Sequence, residues 1–205
     1  MASVPHIAAP DAVRQIRRVQ TITIAWISVE ATVSLFSAAQ AHSPALLAFG
    51  GDSSVELLSA VVVLWRFRAG AAHDSAERLA TRIAGALLFA LAALVALISA
   101  LSLLGYSEPK PALIGIAVLV VAAVIMPWLA REKRRLSALT GSAALRADAA
   151  ESALCAYLSG IALAGLAVNG IWHLRWADPI AALVILPLII WEGREAMRGK
   201  ACGCS

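Results

Sequence analysis

The chain has 205 residues, 60% of them hydrophobic and 15% charged, with a formal net charge of +4, and its mean hydropathy is +0.80. Globular domains run nearer half apolar and a quarter charged, so this composition excludes a water-soluble monomer. The basic excess accompanies no nucleic-acid-binding motif and is read as membrane topology.

A helix that crosses the hydrocarbon needs about 20 mostly apolar residues. Taken in chain order, the first such run is 19–41, behind a charged segment, 1–18, that is expected to be cytoplasmic. No small-residue cleavage site follows the run, so it is expected to be a retained helix and not a signal peptide. The second, 44–66, follows HSP. The third, 82–105, follows RFRAGAAHDSAER, and the fourth, 112–130, follows YSEPKP. The fifth, 143–171, comes after REKRRLSALTGS, and the sixth, 177–197, after HLRWADP. These connections hold most of the turn-formers and charges. The pattern predicts an all-α membrane protein with six transmembrane helices, a single transmembrane domain over 19–197 and a short cytoplasmic tail, 198–205.

Six spans put the N-terminus, the second and fourth connections and the C-terminus on one side. That side takes all of the 17 Lys and Arg except Lys110 and Arg175. Cytoplasmic loops carry such an excess, so both termini are expected in the cytoplasm of a bacterial-type inner membrane. Cys202 and Cys204 form a C-x-C in the tail, where a stable disulfide is not expected.

Of the 13 acidic residues, most fall in connections or at helix ends. Glu30, Asp52, Glu56 and Glu151 fall inside spans. An Asp at a span's centre costs about 2.5–3.5 kcal/mol on insertion scales, so such residues need partners, water or a bound cation. Asp52 and Glu56 are four apart and share a helix face. Asp148, Glu151 and Cys155 share a face of the fifth span, beside a small-residue row of Ala156, Gly160 and Ala164 that suits close helix approach. Spans 2 and 5 run in opposite directions, so side-by-side packing is expected to level Asp52 with Cys155 and Glu56 with Glu151. Three oxygen corners and one sulfur corner make a cage fit for a tetrahedral transition metal; Mg²⁺ and Ca²⁺ would not choose a thiol. The competing reading is a buried polar network that glues helices together. Asp52 and Glu56 have no nearby basic residue in any span, which argues against it. Asp148 is expected as an entry group and Glu30 as a proton relay. Asp178, before Pro179, reads as the N-cap of its own helix. His73, Asp74 and Glu77 read as a solvated cluster, and Pro127 and Pro187 as kink positions.

The segments SPALLAFGGDSSVELLSA, LRADAAESALCAYLSG and WADPIAALVI resemble spans 2, 5 and 6 of the cation diffusion facilitators. In that family an Asp-x-x-x-Asp pair on span 2 faces a His-x-x-x-Asp or Asp-x-x-x-Asp pair on span 5. Here Glu56, Glu151 and Cys155 replace the second Asp, the His and the last Asp; Asp52 alone keeps its type. The resemblance covers all six spans and implies a short form without the family's C-terminal cytoplasmic domain. It also implies a homodimeric secondary transporter, not an enzyme. The expected function is proton-coupled efflux of a divalent transition metal, Zn²⁺, Cd²⁺ or Co²⁺, carried as cargo with no resident cofactor. The alternative is a non-transporting metal-binding membrane subunit or sensor. An intramembrane metalloenzyme ranks last, because no His-Glu-x-x-His or nucleophile motif occurs.

Overall fold

The computed structural model describes residues 10–69, 74–110, 112–141 and 143–198. His73, Cys202 and Cys204, singled out in the sequence, lie outside the described residues. Six helices follow one another: α1 (Pro10–Ala41), α2 (Pro44–Ala69), α3 (Asp74–Leu103), α4 (Leu113–Thr140), α5 (Ala143–Trp172) and α6 (Ala177–Met197). No strand occurs among the described residues. Four stretches are long and apolar enough to cross a membrane by composition alone: Arg14–Ala41, Arg82–Leu103, Leu113–Thr140 and Leu145–Trp172.

The helices outrun the apolar runs at the arginine-rich end. Helix α1 starts at Pro10, inside the segment assigned as an N-terminal extension, and α3 starts at Asp74. The largest difference is in α4, which does not stop near 130. It continues through REKRRLSALT to Thr140 and turns into α5 at Gly141. Hydropathy detects only the part of a helix that meets hydrocarbon, whereas Arg, Glu, Lys and Leu are good helix formers outside it. Gly141 has φ 64°, the left-handed conformation that closes a helix C-terminus with least strain in glycine.

Helix α2 is the hub and packs against α1, α3, α5 and α6; α4 lies against α1 and α5, and α3 lies against α2 and α6. Gly50 makes the α1–α2 contact close. A Cβ there would come within 2.9 Å of Ser34 Cβ and 3.0 Å of the Leu35 backbone nitrogen. The small-residue row on α5 does not serve the same purpose. Nothing lies within 4 Å of a Cβ built on Gly160, and Gly160 and Ala164 are exposed. Ala156, the first of the row, is partly buried against the core, while the Gly160 and Ala164 end of the row is open within one chain.

The distribution of polarity is inverted relative to a soluble domain. Leu104, Leu113, Val124 and Tyr157 are each 70% exposed or more, while Glu30, Asp52, Glu56, Lys133 and Asp148 are buried. An apolar surface of this extent fits a lipid environment.

Candidate functional site

Helix α2 starts on a tightly built cap. Ser43 precedes Pro44, the first helical residue, and its hydroxyl accepts from the Leu46 N–H at 3.1 Å. Asp178 reaches across from α6: Oδ1 accepts from the Ala45 N–H at 3.0 Å, and Oδ2 accepts from the Ser43 hydroxyl at 2.5 Å. Asp178 therefore does not cap its own helix, whose N-cap residue is Trp176. It caps the neighbouring one, where its charge meets the positive end of the α2 dipole. This fixes the start of the helix that carries Asp52 and Glu56.

Those two acids point inward, each only 4% exposed. The α2–α5 pairing is antiparallel, as expected, but the level contacts are Ser53 with Cys155 and Glu56 with Ser152. Ser53 Oγ lies 4.0 Å from Cys155 Sγ, and the Ser152 hydroxyl donates to Glu56 Oε1 at 2.7 Å. The register expected from the sequence is off by one residue, which on an α-helix is a rotation of about 100°. Cys155 does face the interior, but its thiol is turned to α1, donating to Glu30 Oε1 at 3.3 Å. The Ser53 hydroxyl donates to the same oxygen at 2.7 Å. Glu30 is thus in contact with one group of the expected cage, Cys155, and with Ser53 beside it. Glu151 is held by Ser59 of α2.

The four expected ligands consequently occupy neighbouring positions without closing on one point. Among the described residues, no three of the His, Cys, Asp and Glu side chains are drawn together as a coordination group. What the interior offers is a layer of carboxyl oxygens without hydrogen-bond partners: Glu30 Oε2, Asp52 Oδ1, Glu56 Oε2, Asp148 Oδ1 and Glu151 Oε2.

Two residues complete this layer that the sequence reading did not place there. Glu192 of α6 lies within hydrogen-bonding reach of Asp52, and its Oε2 is another buried oxygen without a partner. It stands near the end of the last apolar run, next to Arg194 and Glu195, and so reads as a helix-end charge. Lys133 falls within REKRRLSALTGS, which reads as a connection in the sequence. It is fully buried on α4, and its Nζ lies 3.0 Å from Asp148 Oδ2 and 2.7 Å from Ser152 Oγ. Gln20 of α1 donates to Asp148 Oδ2 at 2.6 Å. The expectation that no basic residue accompanies the interior acids is therefore corrected. Asp148 is the carboxylate of a buried ion pair. A periodicity check would have found Lys133, since Met126, Leu129, Ala130, Lys133, Leu136 and Ser137 are all buried on one stripe of α4.

At the arginine-rich end a cavity of about 600 Å³ opens between α4, α5 and α6, lined by Arg134, Ser137, Arg146, Ala150, Trp191 and Glu195. At the opposite end Arg175 pairs with Glu108.

A family model described as the cation efflux transmembrane domain matches residues 21–199. The chain belongs to the cation efflux family. The match runs from within α1 to beyond the end of α6, so it covers every helix described above. This cation efflux chain is accordingly an integral membrane protein of a family that moves cations across membranes, and transport rather than catalysis is the activity its interior must explain. No curated protein matches the chain.

Proposed function

We propose that this cation efflux protein exports a divalent transition-metal ion, Zn²⁺, Cd²⁺ or Co²⁺, from the cytoplasm in exchange for protons. Asp52, Glu56, Glu151 and Cys155 supply the ligands, and Glu192 joins them from α6. The observation that carries this reading is the set of inward carboxyl oxygens without partners, drawn from α1, α2, α5 and α6. A helix bundle does not bury several such groups for cohesion, because each costs free energy until something binds it. A cation entering from the cytoplasm would draw these oxygens together. The Cys155 thiol, already facing the layer, favours a transition metal over Mg²⁺ or Ca²⁺. Ligands bind metal in deprotonated form, so loading releases protons, and protons arriving from the far side favour unloading. Binding near the middle of the bundle with alternating access is the common transporter arrangement. By the excess of Lys and Arg at one end, that end faces the cytoplasm. Resemblance to the cation diffusion facilitators supports a homodimer.

The experiment is uptake into proteoliposomes with an acidic lumen. Wild type is expected to accumulate at least one of Zn²⁺, Cd²⁺ and Co²⁺, and Glu56→Gln to lose at least tenfold in rate. Equal rates for wild type and Glu56→Gln, or no flux of any of the three, would overturn the proposal. The buried Lys133–Asp148 pair supports one second reading, a metal-binding membrane subunit in which the network is structural. That reading requires binding without flux.

A further inference from the structure

Lys133 is bonded to Asp148 on one side and to the Ser152 hydroxyl on the other. Its ammonium lies 3.0 Å from Asp148 Oδ2 and 2.7 Å from Ser152 Oγ. Ser152 gives its only hydrogen to Glu56 Oε1 at 2.7 Å, so its lone pairs remain to accept from Lys133. One hydroxyl thus ties a fixed positive charge to an acid of the proposed transport site. Gln20 holds Asp148 through the same oxygen that Lys133 uses, which keeps that carboxylate in place whichever way the ammonium turns. A buried ion pair is a poor device for stability alone, since well-packed apolar residues often serve as well or better.

From this arrangement we infer that Lys133 is a tethered cation that competes with the cargo. With no ion bound, its ammonium rests against Ser152 and offsets the negative charge of Glu56. A divalent ion entering among Asp52, Glu56 and Glu151 meets a like charge two hydrogen bonds away, in an interior that screens poorly. The ammonium then withdraws from Ser152 onto Asp148, which retains Gln20 and a second, unpartnered oxygen, Oδ1. When the cargo leaves, the ammonium returns to Ser152 and hinders rebinding. Lys133 is a positioning residue here: it lowers affinity so that release is fast. This inference rests on the transport reading above and deepens it.

The test uses the purified full chain in detergent, with Zn²⁺ and Co²⁺ binding followed by titration calorimetry and uptake followed in proteoliposomes. Lys133→Met alone strands Asp148, so the deciding variant is Lys133→Met/Asp148→Asn, which removes both charges and leaves a group that Gln20 can still bond. The double variant is expected to bind at least tenfold more tightly than wild type and to turn over more slowly at saturating cation. Ser152→Ala, which leaves the ion pair intact and should fold whatever the double variant does, is expected to tighten binding at least threefold. Lys133→Arg, which keeps the charge, should stay within threefold of wild type. Binding by the double variant or by Ser152→Ala that equals or falls below wild type makes the pair structural and overturns the inference, while the transport reading stands. Absence of cation binding by wild type removes the transport reading and this inference together.

Discussion

Asp178 shows how a single residue can be read correctly in kind and wrongly in place. An Asp before a Pro at a helix start is a capping signal, and capping is what it does, but for α2 instead of α6. Its two oxygens take the Ala45 N–H and the Ser43 hydroxyl, fixing the first turn of the acid-bearing helix. The group is buried, and Ser43 in turn serves Leu46. Loss of a cap costs about 1–2 kcal/mol, and leaving a buried donor unpaired adds about 1–3 kcal/mol. Asp178→Ala is therefore expected to destabilise the protein by roughly 2–5 kcal/mol, with Asp178→Asn losing less. The measurement is the thermal midpoint of detergent-solubilised protein, followed by tryptophan fluorescence. A midpoint for Asp178→Ala within a degree of wild type would mean that the α2 cap carries no weight. Lys133 teaches the complementary lesson. It stands among Arg131, Arg134 and Arg135 in a run that composition assigns to a connection, and only its position on the buried stripe of α4 distinguishes it.

At the scale of helices, the sequence made legible what depends on one helix at a time. It revealed six helices, their order, the opposed directions of α2 and α5, and the faces carrying the acids. What depends on how two helices meet was not legible. Lateral packing between membrane helices is set by van der Waals fit at small residues, and a slip of one residue changes which side chains are level. That is why Cys155 meets Ser53 and Glu30 rather than Asp52. The same argument separates two glycines that look alike in sequence. Gly50→Ala forces its new methyl onto Ser34 and the Leu35 backbone, where neither neighbour can yield easily. It is expected to cost about 1–3 kcal/mol, the usual penalty of overpacking. Gly160→Ala meets nothing within 4 Å and replaces a poor helix former, so in a monomer it should be neutral or stabilise by up to about 1 kcal/mol. Chemical-unfolding midpoints of the two variants in detergent check this directly. If Gly160→Ala were the more damaging, the exposed end of the α5 row would have to be packed against a second copy.

For the whole molecule, the decisive quantity is the balance of charge in its interior. Among the described residues Glu30, Asp52, Glu56, Asp148, Glu151 and Glu192 direct carboxyl oxygens into the bundle, and Lys133 is the basic residue buried among them. Asp52 and Glu192 lie within hydrogen-bonding reach of each other. Two carboxyl groups can share a hydrogen bond only when one of them carries the proton. A divalent ion drawn to Asp52 takes the place of that proton, since ligating carboxylates are ionised. Cation binding should therefore acidify a weakly buffered solution of the ion-free protein by at least one proton per ion bound. Glu192→Gln, which cannot hold the shared proton as an acid, should release about one fewer. Dye-monitored titration with Zn²⁺ or Co²⁺, run beside calorimetry to count bound ions, measures both quantities. Binding that releases no protons would leave the exchange without a proton source at Asp52 and Glu192 and would sever cation movement from proton movement in this bundle.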